Sequence, residues 1–123
     1  MNSIKTIVTS AMFGCTSVIA AVHPDDLAVA KKLTSTVDLA AMSLPTAVRQ
    51  GDMKDYRKFI SGPVEVQLEK IHALPQPRRM ELVNCVAAAS EFLNRAGDSM
   101  KAKKVKPAGS LESESLSSCK DLK

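Results

Sequence analysis

Aromatic residues are scarce in this sequence, which has three Phe, one Tyr and no Trp among 123 residues. So few aromatic side chains disfavour an aromatic-lined cofactor pocket and a base-stacking surface for nucleic acid. The sequence also lacks a Gly-rich loop of the G-x-G-x-x-G or G-x-x-x-x-G-K-S/T type, which would bind phosphate groups. We therefore expect that the protein has no cofactor and no nucleic-acid partner.

Metal-ligating and nucleophilic residues are also few, with two His, three Cys and no Cys-x-x-Cys pair. This set disfavours a structural zinc site and a catalytic triad. Glu69 and His72 form one E-x-x-H pair, whereas carboxylate-bridged di-iron bundles need two such pairs and further Glu residues. We expect no metal site and no enzymatic activity. A metal- or small-ligand-binding bundle that uses Glu69 and His72 is an open alternative.

Residues 1–20 have the pattern of a secretory signal peptide. Lys5 is the only charged residue before Asp25, and the stretch between them is apolar in patches. A positive start, an apolar middle and small residues at the end are typical of an export signal. Val18 and Ala20 suit the −3 and −1 positions, so we expect cleavage after Ala20 and a periplasmic or secreted protein.

The cysteines support the same interpretation. Cleavage leaves Cys85 and Cys119, and an even number of cysteines in an exported chain predicts a disulfide bond. In the chain-entropy model, closing a loop of about 35 residues stabilises the fold by roughly 3–4 kcal/mol. Cys15 lies within the signal peptide, and a lipid on this residue is an alternative that would anchor the protein to the envelope.

The apolar residues of segment 24–97 recur at steps of three and four, which is typical of amphipathic helices. No segment shows the sustained alternation of a strand. We therefore predict an all-α domain, a small four-helix bundle or helical array. The stripes that carry this prediction are Leu27, Ala30, Leu33, Val37, Ala40 and Leu44 early in the domain, and Leu82, Cys85, Val86, Ala89, Phe92 and Ala96 late in it.

Prolines and glycines predict where these helices end. Pro45 should end or kink the first helix, because a proline disfavours helical geometry in the residue before it. Gly62 and Pro63 should end the second helix, and the third should start near Pro63. The fourth helix should run from Pro77 to Gly97, where a glycine is typical of a helix carboxyl end.

Residues 98–123 differ from the domain that precedes them. A basic cluster comes first and a Ser/Glu-rich segment follows, a composition typical of disorder. A disulfide from Cys119 to Cys85 would instead fold this tail back across the fourth helix. Leu111, Leu116 and Leu122 would then pack on the bundle.

Three surfaces are candidates for binding. Tyr56 and Phe59, beside Met53, and the pair Arg78 and Arg79 are candidates for contact with a partner protein. The basic cluster suits an anionic surface such as lipid headgroups; it comprises Lys101, Lys103, Lys104 and Lys106.

An exported, helical chain with no catalytic constellation is best explained by recognition of another protein. We expect an inhibitor, an immunity protein or an accessory factor of an envelope complex. A membrane-surface or lipid-anchored envelope protein is the first alternative, and the metal- or small-ligand-binding bundle is the second.

Overall fold

The computed structural model describes residues 22–123, which form five helices and no strand. The prediction of an all-α fold is confirmed, with one helix more than the four that we expected. The predicted signal peptide, residues 1–20, and Cys15 lie outside the described residues. The helices are α1 (Pro24–Gln50), α2 (the consecutive segments Met53–Tyr56, Arg57–Ser61 and Gly62–His72), α3 (Gln76–Glu81), α4 (Val83–Ala102) and α5 (Ser110–Lys120).

The helices pack around one apolar core. Helix α1 lies against both α2 and α4, and α5 packs mainly on α4. The two predicted apolar stripes face this core, so the helical spacing identified the buried faces correctly. The largest buried core side chains are Leu33, Val37 and Leu44 of α1, Tyr56, Ile60, Val64, Leu68 and Ile71 of α2, and Leu82 and Phe92 at and within α4.

Helix α1 continues through Pro45, so the prediction of a helix end there was wrong. Pro45 is exposed, whereas Leu44 and Ala47 on either side of it are buried in the core. Burial of these two side chains holds the backbone helical against the local preference of the residue before proline. The helix ends at Gly51, which has φ 67° and donates its N–H to the Ala47 carbonyl at 2.8 Å.

Helix α2 passes through Gly62 and Pro63 by way of a π-helical turn, Arg57–Ser61. We expected these two residues to separate two helices, which was wrong. Gly62 donates its N–H to the carbonyl of Arg57, five residues earlier, and a Cβ on Gly62 would lie 2.5 Å from that oxygen. The wide turn thus needs glycine at this position, and Pro63 follows it without breaking the helix.

The predicted fourth helix is two helices, because the chain bends at Leu82 between α3 and α4. Helix α4 then continues past Gly97, where we expected it to end, to Ala102. A helix often ends where a residue with positive φ follows it. Lys103 has that conformation, with φ 57°. Ser99, which lies beyond Gly97, is buried beneath the returning chain and extends the packed part of the helix.

The tail folds back across α4, and its carboxyl-terminal part is helix α5. The predicted disulfide between Cys85 and Cys119 is present and buried. Leu116 and Leu122 pack partly against the core as expected, but Leu111 is exposed, contrary to the prediction. Composition alone favours disorder here, so the fold of the tail depends on specific attachments.

Polar contacts supplement the disulfide in holding the tail. Arg95 forms a two-pronged ion pair with the buried carboxylate of Glu112, at 2.8 and 2.9 Å. The Ser99 hydroxyl accepts a hydrogen bond from the Lys106 N–H at 3.0 Å. Lys120 pairs with Asp38 of α1 at 3.0 Å. The tail is therefore part of the folded domain and fixes the outer side of α4.

Candidate partner-binding groove

Large apolar side chains are exposed along a groove between α1 and α2. Leu39, Met42, Phe59 and Val66 are 65%, 77%, 56% and 51% exposed. These side chains border two adjoining depressions that share Leu39 and Phe59. We call this surface the α1/α2 groove. Such a contiguous set of exposed apolar side chains is typical of an interaction surface.

The two depressions lie on either side of Leu39 and Phe59. The turn-side depression, of about 460 Å³, is bordered by Met42, Ser43, Thr46, Gln50, Asp55 and Ile60 in addition. The Lys32-side depression, of about 330 Å³, is bordered by Lys32, Thr36, Pro63, Val66 and Gln67. The groove therefore runs along α1 from Lys32 to Gln50.

The sequence register explains why this groove is apolar. Leu39 and Phe59 each precede a core residue, Ala40 and Ile60, by one position. One residue corresponds to a rotation of about 100° around a helix, so these side chains lie on the face beside the core. Helices α1 and α2 each carry apolar residues on this second face as well as on the core face.

The π-helical turn places Phe59 on the groove. The core positions of α2 follow each other at steps of four, at Tyr56, Ile60, Val64 and Leu68. Steps of four drift around an ordinary α-helix, and the wide turn at Arg57–Ser61 absorbs this drift. Phe59 lies inside that turn and stays exposed while Ile60 is fully buried. Turns of this kind occur frequently at functional sites.

Charged groups mark the two ends of the groove. Lys32 borders one end and Asp55 borders the other. Among the ion pairs of residues 22–123, neither side chain has a partner. The Nζ of Lys58 lies 5.2 Å from the centre of the Phe59 ring, which is a cation–π distance. The groove thus combines an apolar floor with opposite charges at its ends.

Gln67 is the unusual polar residue of the groove. Its side chain borders the Lys32-side depression and is 94% buried, with 6% relative exposure. Its Oε1 has no hydrogen-bond partner among residues 22–123. A buried acceptor without a donor lowers stability, so a retained one needs an explanation in function or strain.

The structure separates the predicted partner-binding residues from each other. Phe59 lies in the groove and Met53 is exposed, but Tyr56 is buried in the core. Burial, with a smaller contribution from the charge of Glu65, raises the pKa of the Tyr56 hydroxyl. Of the predicted aromatic pair, only Phe59 is on the surface to contact a partner.

Arg78 is engaged within the fold. Its guanidinium donates two hydrogen bonds, of 2.6 and 2.9 Å, to the carboxylate of Asp26. Asp26 is fully buried, and these hydrogen bonds hold its pKa below the ordinary value, against the opposite effect of desolvation. The same pairing raises the pKa of Arg78. Arg79 is half-buried and forms no ion pair within residues 22–123.

The lysine cluster is fully on the surface. Lys101 and Lys103 are exposed at the end of α4, and Lys104 and Lys106 are exposed in the segment that leads to α5. The backbone of Lys106 is nevertheless fixed, since its carbonyl accepts a hydrogen bond from Arg95 at 3.0 Å. The cluster is therefore a positioned basic surface beside α4.

The E-x-x-H pair lies near the end of α2. Glu69 and His72 are both exposed. No group of three or more His, Cys, Asp or Glu residues that would hold a metal ion occurs in the part of the chain that the structure describes.

Comparisons with protein-family models, with curated proteins and with solved structures give no match for this chain. The helices of residues 22–123 also include none with the length and apolar character that crossing a membrane requires. The groove and the disulfide are therefore the features on which a functional proposal rests.

Sequence reasoning missed most of the groove. Leu39, Met42 and Val66 are apolar residues off the predicted core stripes, and that mismatch was the available signal. The repeated steps of four from Tyr56 to Leu68 were the signal for the π-helical turn. The pairing of Asp26 with Arg78, 52 residues apart, had no signal in the sequence pattern.

Proposed function

We propose that the chain is a small exported protein that binds another protein through the α1/α2 groove. The observation that carries the proposal is the contiguous exposure of Leu39, Met42, Phe59 and Val66. Burying these side chains against a partner would be favourable at roughly 25 cal/mol per Å² of apolar surface removed from water. The roles that fit are an inhibitor, an immunity protein or an accessory factor of an envelope complex.

The disulfide supports the proposed location. Cys85 and Cys119 form a buried bond, and such bonds persist mainly outside the reducing cytosol. A location outside the cytoplasm agrees with the signal-peptide pattern of residues 1–20. We propose the periplasm or the extracellular space as the compartment in which the partner is met.

A binding role accounts for the described residues better than catalysis. The two cysteines of this region are bonded to each other, so neither is a free thiol nucleophile. His23 and His72 are both exposed, and the Nδ1 of His23 accepts a hydrogen bond from the Asp25 N–H at the start of α1. The buried carboxylate of Asp26 is engaged by Arg78.

Site-specific photo-crosslinking in the native host tests the proposal. A photoreactive phenylalanine analogue replaces Phe59, and in separate variants Met42 and Val66. The matched control is Val83, which is 53% exposed and lies outside the groove. We expect a single crosslinked protein from the groove positions, identified by mass spectrometry, and none from Val83. Equal crosslinking from all positions, or none from the groove, would contradict the proposal.

The lysine cluster supports a second candidate function, binding to an anionic membrane surface. Lys101, Lys103, Lys104 and Lys106 are all exposed on one short stretch. Each basic residue near an anionic membrane contributes about 1 kcal/mol, and the attraction decreases with salt. Flotation with vesicles that contain anionic lipid measures this binding. A variant with the four lysines changed to Gln should lose it, and binding that does not depend on salt would contradict the idea.

A further inference from the structure

We propose that the α1/α2 groove binds an amphipathic α-helix of the partner, with an acidic residue over Lys32 and two apolar anchors two helical turns apart. This inference rests on the proposed protein-binding function and specifies the chemistry of the partner. It depends on the length of the groove, the polar groups that line it, and the charges at its ends.

The polar lining favours a helix over an extended peptide. The hydroxyls of Thr36 and Ser43 already donate to carbonyls of their own helix, at 2.7 and 3.1 Å. The Thr46 hydroxyl accepts a hydrogen bond from Arg49 at 3.4 Å. The groove is formed by two helices, whose backbone groups are bonded internally. An extended peptide would therefore bury unpaired N–H and C=O groups, whereas a helix satisfies its own.

The length and the two depressions define the spacing of the anchors. From Lys32 to Gln50 the groove is ~27 Å long at the rise of an α-helix, which corresponds to about five turns. The centres of the two depressions are ~11 Å apart along α1 on the same measure. On a helix laid along the groove, residues separated by seven or eight positions span this distance. One anchor enters each depression, and Leu39 and Phe59 lie between them.

Gln67 specifies the second anchor. Gln67 borders the Lys32-side depression, and its Oε1, which is buried beneath the surface, lacks a hydrogen-bond donor among the described residues. An anchor that enters this depression and turns the Gln67 side chain towards itself should carry an N–H or O–H on an otherwise apolar side chain, because that group would supply the missing donor. Tyrosine and tryptophan have this combination. The anchor of the turn-side depression, which has Met42 and Ile60 in its wall, should be purely apolar.

The charges fix the polarity of the partner. Lys32 at one end and Asp55 at the other lack ion-pair partners within residues 22–123. A helix with an acidic residue beside its Tyr or Trp anchor and a basic residue at the opposite end complements both charges. Exposed pairs of this kind contribute little affinity but select the orientation.

A displayed library of random 20-residue peptides tests the inference. The target is the purified full chain with its disulfide intact, and a second selection uses the Lys32→Glu variant. We expect recovered peptides with an apolar residue and a Tyr or Trp seven or eight positions apart, and an acidic residue near the latter. Selection on Lys32→Glu should recover a basic residue at that position instead.

Binding constants of one recovered peptide complete the test. We expect Met42→Asp and Phe59→Asp each to weaken binding by at least 10-fold, and Lys32→Glu by about 3-fold. Val83→Asp is the control and should leave binding unchanged. Circular dichroism and thermal unfolding verify that every variant is folded.

The outcomes distinguish this inference from the function on which it rests. Recovery of no peptide, of peptides without the helical spacing, or of peptides that bind Phe59→Asp equally well would overturn the inference. If Phe59 and Met42 still crosslink to one protein in the native host, the protein-binding function stands and only the helical partner is wrong. Failure of both experiments rejects both proposals.

Discussion

Removing the disulfide should destabilise the whole domain, and it should destabilise α5 more than the rest. The double variant Cys85→Ala/Cys119→Ala opens a loop whose ends are 34 residues apart in the sequence. In the chain-entropy model, a loop of this length contributes about 3.8 kcal/mol to the free energy of unfolding. A domain of about 100 residues has roughly 5–15 kcal/mol in total, so the variant loses a quarter or more of its stability.

The loss should differ between the core and the tail. At amides of α1 that exchange only by global unfolding, the opening free energy measured by hydrogen exchange should fall by about the full loop contribution. The opening free energy at amides of α5 should fall by more, because this helix is then held by the Arg95–Glu112 and Lys120–Asp38 ion pairs and by partly buried Leu116, with Leu122 just after it. Its buried residues are few and mostly polar, which allows it to open locally.

Urea unfolding and amide hydrogen exchange of the oxidised protein and the double variant measure these effects. Ser118→Ala is the control, since Ser118 is exposed beside Cys119, and it should change stability by less than about 0.5 kcal/mol. A loss below about 1 kcal/mol in the double variant, or unchanged exchange of α5, would refute the reasoning.

Three further predictions concern single residues. Gly62→Ala should lower the free energy of unfolding, measured in urea, by about 1–3 kcal/mol, because its Cβ would lie 2.5 Å from the Arg57 carbonyl oxygen. Gly97→Ala is the control that should be tolerated, because a Cβ on Gly97 would have only an ordinary contact at 3.9 Å. Gln67→Met should raise the free energy of unfolding by about 1 kcal/mol, because it removes an unpaired buried acceptor. The same variant should weaken binding of a selected peptide that carries Tyr or Trp. A destabilised variant would show that the Gln67 side chain has a hydrogen-bond partner in solution. The lowered pKa of Asp26 in the folded protein means that ionised Asp26 stabilises the fold at pH above its ordinary value of 3.8, and that this contribution is lost as the pH falls below 3.8 towards the folded pKa. Asp26→Asn should therefore lose less stability than the wild type between neutral and strongly acidic pH. Urea unfolding midpoints across that pH range measure this difference. Parallel curves of midpoint against pH for the two proteins would contradict a stabilising role of ionised Asp26.

Sequence periodicity predicted the helical class and most of the buried faces, because a residue at a core position must be apolar whatever the neighbouring helix is. The number of cysteines also predicted the disulfide, since only Cys85 and Cys119 remain after the expected cleavage. Local rules failed where tertiary packing opposed them. Pro45 does not end α1 because Leu44 and Ala47 are both buried, and Gly62 with Pro63 continues α2 through a wide turn.

The groove could not be predicted for a different reason. A surface is defined by which faces remain uncovered after packing, and that depends on the arrangement of whole helices. Phe59 was identified as a candidate, but Tyr56 was grouped with it although the two side chains point to different environments. Arg78 likewise resembled a free surface charge until its pairing with Asp26, far away in the sequence, was visible.

The position of Cys119 also determines when the disulfide can form during synthesis of the chain. Because Cys119 follows Cys85 by 34 residues, a chain that emerges amino-terminus first presents all of α1 to α4 before the second thiol arrives. Until then Cys85 has no cysteine partner after the expected cleavage site, although in the folded protein its side chain lies on the buried, apolar face of α4. The disulfide can therefore join the tail to α4 only after the whole domain has emerged.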